Sequence, residues 1–286
     1  MQSGTVDYTY LQNTTWRLKT AYPVLRVQTV GKSVVGRSLY GLELGPAGAP
    51  ALLFAGGFLG TDALTGRLLL QWLHRLLRAV HERRPLCGVD PMALLQNRRV
   101  CVVPFVNPDG REICARGPHC AGVDAGRVRR LCGGEPARWD ANARGVDLTG
   151  NFAHRFAARA QLRRQAGIYG PGPTGYGGPA AESEPETAAL AAYCRTKSLL
   201  QAVALYPGAG QVLWRGDAAG RTAEQRAAVL ATAAGYEVEA AVGRPSYTGF
   251  RNWFQADFGR PAIDLLIPPD QPARQAMELL TLACLP

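Results

Sequence analysis

The chain has 286 residues, 47% apolar and 19% charged, with 33 Gly and 20 Pro, a balance that supports a sizeable core and excludes global disorder. Its longest apolar runs, such as Ala51–Leu59, fall well short of the ~18 residues that span a bilayer. Basic residues outnumber acidic ones 32 to 22, a formal +10 carried almost entirely by Arg, since Lys occurs only at 19, 32 and 197.

Tyr8–Tyr22 has a weak helical pattern that stops at Pro23. Leu25–Val30 and Arg37–Leu44 read as strands of a hairpin around Gly31-Lys32-Ser33. Ala51–Ala55 is a continuous apolar run that empties into Gly56-Gly57, the mark of a buried strand followed by a loop. Thr65–Glu82 places Leu69, Leu73, Leu76, Leu77 and Val80 at helical spacing. Arg99–Val106 is a second buried strand, ended by Asn107-Pro108-Asp109-Gly110. Residues 114–140 and Gly167–Pro179 read as loops, with a short strand at Val146–Leu148 between them. Glu184–Cys194 is a helix with Pro185 in its first turn, where a missing N–H costs little. A strand at Leu199–Tyr206, helices at Ala223–Ala234 and Gly249–Phe258, a strand at Ala262–Ile267 and a helix at Arg274–Leu285 complete the chain.

Strands alternating with helices predict an α/β fold with a mostly parallel sheet covered on both faces. No linker or composition break divides Met1–Pro286, so one domain is expected. Ligands of such sheets bind beyond the carboxyl ends of the strands. Gly56–Thr65, Asn107–Gly110, Tyr206–Gly210 and Leu266–Pro269 should therefore converge. The Arg are dispersed, without an aromatic-interleaved stripe, so neither nucleic acid nor a membrane is the expected partner. Met1–Tyr10 has no basic n-region or apolar h-region, so no signal peptide is expected and the chain is read as cytoplasmic. Cys87, Cys101, Cys194 and Cys284 sit among apolar neighbours and read as buried small hydrophobes. Cys114, His119, Cys120 and Cys132 match no zinc-finger spacing and read as a reduced loop cluster.

Five segments in order carry a family likeness. They are Val30-Gly31-Lys32-Ser33-Val34-Val35-Gly36-Arg37, Val106-Asn107-Pro108-Asp109-Gly110, Trp139–Leu148, Ser183-Glu184-Pro185-Glu186-Thr187 and Ser246–Phe254. Together they resemble the zinc metallocarboxypeptidases, most of all the bacterial branch that cleaves γ-D-glutamyl–diaminopimelate bonds of peptidoglycan peptides. The resemblance implies an eight-stranded mixed sheet with helices on both faces. It also implies one zinc held by His-x-x-Glu and a later His, with a Glu on the last strand as general base for the metal-bound water.

Carried over position by position, the likeness empties that centre. The first His position is Leu59, the Glu position is Asp62 and the second His position is Pro207. Without a gap the catalytic Glu position is Leu266, the alignment favoured because it keeps the strand pattern; a two-residue gap would place Asp264 there. The Asn-Arg pair whose Arg grips a terminal carboxylate is Thr149-Gly150, and the basic residue after Trp139 is Asp140. Of the four His, His74 and His81 fall on one helical face, His119 lies in the Cys loop, and His154 stands near the cleft. The expectation is a pseudopeptidase with no cofactor, binding a peptide or muropeptide through Arg144, Asp140 and His154. The alternative is an active peptidase with a rearranged site drawn from Asp62, Asp264 and His154.

Overall fold

Side chains of a pleated strand alternate between two faces, and here each face meets a different kind of helix. The protein, seen as a computed structural model, is described for residues 5–214, 220–240, 249–270 and 273–285. The strands are β1 (Arg26–Lys32), β2 (Ser38–Leu44), β3 (Ala51–Ala55), β4 (Arg99–Val103), β5 (Leu199–Pro207), β6 (Gln211–Trp214), β7 (Glu237–Ala240) and β8 (Ala262–Ile267). They form one eight-stranded sheet in the order β1-β2-β4-β3-β5-β8-β6-β7. The central four, β4, β3, β5 and β8, are mutually parallel, with antiparallel pairing at β1–β2, β2–β4 and β6–β8.

On one face Leu52, Phe54, Val100, Val102, Val203, Leu205, Ile263 and Leu265 form a core with α1 (Tyr8–Ala21), α2 (Leu64–Glu82), α8 (Gly220–Ala234) and α10 (Ala273–Leu282). Trp72 of α2 packs 4.7 Å from Phe54 and donates its ring N–H to Thr281 Oγ1 at 3.2 Å, tying α10 to α2. The other face is lined by small residues, among them Ala51, Ala55, Ala202, Ala204 and Ala262. Their short side chains leave room for the large residues of α9 (Phe250–Phe258) and for α7 (Pro185–Arg195), with Phe250, Trp253 and Phe254 fully buried. No described helix is long and apolar enough to cross a membrane.

The structure departs from the expectations in four places. Val146–Leu148 is not a strand: Asn142 Oδ1 accepts from the Arg144 and Val146 amides, and Leu148–Gly150 turns into a 3-10 helix. Residues 114–140 are largely helical, comprising the end of α4 (Pro108–Arg116), a 3-10 segment Pro118–Asp124 and α5 (Ala125–Leu131). α3 (Pro91–Leu95), α6 (Phe156–Gln165), β6 and β7 are short or polar, and their periodicity is weak in the sequence. Cys87 is exposed, whereas Cys101, Cys194 and Cys284 are buried.

Four of the five resemblance segments prove to be one hydrogen-bonded network; Ser246, Tyr247 and Thr248 of the fifth lie outside the described residues. Asp109, fully buried at the start of α4, accepts from Ser33 Oγ at 2.7 Å, Val35 N at 2.9 Å and Arg37 Nη1 at 2.6 Å. Glu186, equally buried on α7, accepts from Val34 N at 3.1 Å and from Asn142 Nδ2 at 3.1 Å. Asn142 Nδ2 also reaches Glu184 at 2.8 Å, and Asn107 donates to the carbonyls of Phe58 and Asp140. Burial, and then the neighbouring Asp109 carboxylate, push the Glu186 carboxyl up to about 8.

A folded-state value above the unfolded one means that this carboxyl's contribution to stability is complete near pH 4.5 and is lost as pH rises through about 8. Asp62 and Asp264, the other buried carboxyls raised in this way, titrate near 6. Between about pH 7 and 8, where Glu186 is the main one of these groups still titrating, the unfolding free energy should therefore fall with pH by up to ~1.4 kcal/mol per unit. Glu186→Gln should flatten that fall, read by urea unfolding at a series of pH values.

Candidate functional site

The four parallel strands end at the same edge, and the loops that follow them meet there as expected. The 56–62 loop is held from below: Val106 N donates to Gly56 O at 3.0 Å and Asn107 N to Gly57 O at 2.8 Å. Gly57 has φ +61°, and a Cβ on it would crowd Pro104 O and Phe105, so this turn requires glycine. Gly60 N donates to Asp140 O at 2.9 Å, and Arg111 Nη1 donates to Gly60 O at 2.8 Å. On the other side Gly208 N and Gly210 N donate to Ile267 O and Leu266 O, joining the ends of β5 and β8. Phe58 bridges the two halves. It is fully buried, with its ring 5.1 Å from Tyr206, 5.7 Å from Phe250 and 6.5 Å from Phe152.

Leu59 follows that anchor, half-buried, with no lone pair to offer a metal. Pro207 closes β5 and likewise has no side-chain donor atom. Asp62 has one, but it is buried and engaged at the start of α2. Its two oxygens accept from Gly57 N at 3.3 Å, Leu64 N at 3.1 Å, Thr65 N at 2.9 Å and the Thr65 hydroxyl. Ala63, the residue at the helix N-cap position, has no side-chain oxygen, so Asp62 does that work one residue earlier. Burial pushes its carboxyl up to about 6, against the pull of the Thr65 hydroxyl and the three amides.

Leu266 and Asp264 share one face of β8. Leu266 lies opposite Tyr206 in register and against Gly208, where a Cβ on the glycine would collide with it. Asp264 sits one pleat deeper, opposite Ala204, with Oδ2 3.4 Å from Nε of the buried Arg251 on α9. Burial raises its carboxyl to about 6 although Arg251 pulls it down.

Asp140 is half-buried and accepts from the Thr61 hydroxyl; burial raises its pKa and that hydrogen bond opposes the rise. Arg144 is half exposed, 3.6 Å from Glu184. His154 is half-buried in the turn before α6. Among the described residues no three His, Cys, Asp or Glu side chains are grouped to hold a metal ion, so Asp62, Asp264 and His154 do not make one. Leu59, Asp62 and Pro207 do not fit zinc either: two lack a donor atom and the third is committed to a helix end.

The cysteines of the variable region point to separate acceptors: Cys114 to Ala137 O, Cys120 to Glu112 and Cys132 to Arg129 O. The rings of His74 and His81 flank Tyr22 at 5.9 and 6.1 Å, away from the strand ends. Two features of the site escape the sequence reading. One is the aromatic floor under Leu59. The other is a pair of arginines on α6, Arg159 and Arg163, which reach the Thr149-Gly150 backbone. Burial, then repulsion from Arg163, push Arg159 down to about 10. The one advance signal was an α6 sequence with three Arg and no acidic residue.

Comparison with known proteins fits this geometry. The family model described as zinc carboxypeptidase matches residues 11–248. Gamma-D-glutamyl-L-diamino acid endopeptidase 1 of Lysinibacillus sphaericus is 27% identical over 263 residues, covering 90% of this chain and 64% of that protein. The chain spans less than two thirds of the length of that relative and of a second one from Bacillus subtilis. Thrombin activatable fibrinolysis inhibitor superposes with a TM-score of 0.77 at 14% identity, over 97% of this chain and 73% of the other. The murein-tripeptide amidase MpaA of Escherichia coli O157 gives 0.54 at 20% identity, over 90% and 89%. Both structural likenesses show the fold alone. The match to a zinc family overturns the expectation of a chain with no cofactor: zinc is the ion of this family, and it is the ion against which these side chains have to be tested.

If Asp62 serves as a cap, Asp62→Ala should lower stability by about 2 kcal/mol through the lost cap and the unpaired amides. Metal content measured on the same preparation should not change, whereas loss of bound zinc in the variant would identify Asp62 as a ligand.

Proposed function

The chain belongs to the zinc carboxypeptidase family, and on that premise we propose that its cleft binds a peptide without hydrolysing it. The protein is then a pseudopeptidase, a carboxypeptidase-like domain whose zinc site has degraded. One observation carries this reading: the acid at the family's ligand position has both oxygens engaged by four donors at the start of α2. Leu59 and Pro207 at the companion positions have nothing to coordinate with. Leu266 at the favoured position of the general base cannot accept a proton from water. Asp140 puts negative charge where a developing oxyanion would need positive charge. Each loss alone would be drift. Together they remove metal, base and oxyanion support from one place.

The ligand class is suggested by the curated relative, a gamma-D-glutamyl-L-diamino acid endopeptidase. A muropeptide stem is therefore the first candidate, and it carries carboxylates. The +10 formal charge favours the approach of such a ligand. Arg144, half exposed beside Glu184, is the first candidate contact for it, with Asp140 and His154 as the others.

The deciding experiment exposes the purified chain to excess zinc, desalts it and measures bound metal. It then follows L-Ala-γ-D-Glu-diaminopimelate both for cleavage and, by isothermal titration, for binding. The expected outcome is substoichiometric zinc, no turnover and saturable binding that weakens in Arg144→Gln. Stoichiometric zinc with chelator-sensitive cleavage would overturn the reading in favour of a rearranged peptidase.

A further inference from the structure

Arg163 of α6 is a partly buried cation set mainly against neutral backbone. The Arg163 guanidinium is threaded between the backbones of Gly150 and Gly177, and a Cβ on either glycine would overlap it. Its hydrogen bond there is a long one, 3.4 Å from Nη1 to the neutral Gly150 carbonyl. The carboxylate that acts on it is Asp147. Yet Asp147 already accepts from Thr149 N at 3.1 Å, Thr149 Oγ1 at 2.6 Å and Gly175 N at 3.0 Å. Burial outweighs Asp147 and lowers the Arg163 pKa, as expected of a cation short of counter-charge.

A cavity of about 340 Å3 opens at this side chain, between α6 and the 168–179 loop. Its lining includes Phe156, Ala160, Arg163, Arg164, Tyr169 and Tyr176, and no acidic residue. Tyr169 is 77% exposed, a large ring held at the mouth of a cationic pocket.

We propose that this cavity is a binding site for a small organic carboxylate, with Arg163 as its primary contact. A planar guanidinium pairs with a carboxylate through two parallel hydrogen bonds. Arg164 adds a second cation, and Phe156, Tyr169 and Tyr176 flank the organic body. The volume and the aromatic walls favour such a ligand over inorganic phosphate, which would leave most of the space empty. None of the lining residues is Leu59, Asp62, Pro207 or Leu266, and the proposal does not depend on the pseudopeptidase reading.

The test is an amide-shift titration of the 15N-labelled full chain with N-acetylglutamate, and in parallel with inorganic phosphate. N-acetylglutamate should give saturable shifts at Tyr169, Tyr176, Gly177 and Gly178. Affinity should fall about tenfold in Arg163→Gln and less in Arg163→Lys. Because Arg163 is packed between two backbones, Ala160→Phe provides a second route: it fills cavity space while keeping the arginine itself, and it should also abolish the shifts. Absence of saturable shifts in the wild type, equal affinity in Ala160→Phe, or a response to phosphate alone would overturn the proposal. Cleft binding of the muropeptide is read on Gly57 and Gly60 in the same spectra. Shifts there with none at 176–178 remove the α6 site only, and the reverse pattern removes the cleft reading only.

Discussion

A carboxyl group without access to water must find its hydrogen bonds inside the protein, and two such groups, Asp109 and Glu186, hold this molecule together. Asp109 fastens the β1–β2 turn to the start of α4 through Ser33, Val35 and Arg37. Glu186 fastens the same turn, through Val34, to α7 and to Asn142. Removing one partner would strand a buried polar group, so each residue constrains the others. The network involves none of Leu59, Asp62, Pro207 or Leu266. That independence lets these motifs persist whatever side chains stand at those four positions.

Much of the architecture was legible because the central strands are long apolar runs with clear stops. β3, β4, β5 and β8 fall within a residue or two of their expected ranges apart from the end of β4, and the convergence of their loops followed from parallel pairing. Elements whose shape depends on polar side chains were not legible. The turn at 142–146 is set by one Asn oxygen accepting two amides, which composition does not reveal. β6 and β7 are four residues each at the sheet's far edge, too short for a periodic signal. In the site, the side chains at the expected ligand positions, Leu59, Asp62 and Pro207, were read from the family resemblance. The use to which Asp62 is put was not, because a metal ligand and a helix cap look the same in one dimension.

The chemistry of Asp62 depends on what its carboxylate faces. A carboxylate facing a cleft is a ligand or a base; the same group facing a helix start satisfies amides that would otherwise be unpaired. Leu59 and Leu266, by contrast, have hydrocarbon side chains with no lone pair to offer. Beneath them Phe58, Phe152, Tyr206 and Phe250 are packed edge to face and partly stacked, so the floor is a rigid aromatic layer.

That layer has a consequence for recognition. A loop that is loose in the free state must be frozen by its ligand, and the lost motion is subtracted from the affinity. Here the 56–62 segment is already fixed by the Phe58 ring, the Asn107 side chain and the amide of Gly60. In this chain that organisation comes from side-chain packing and backbone hydrogen bonds. The cleft can therefore act as a template whose shape precedes its guest, so that selectivity rests on contour and rim charge, with little induced adjustment in the protein.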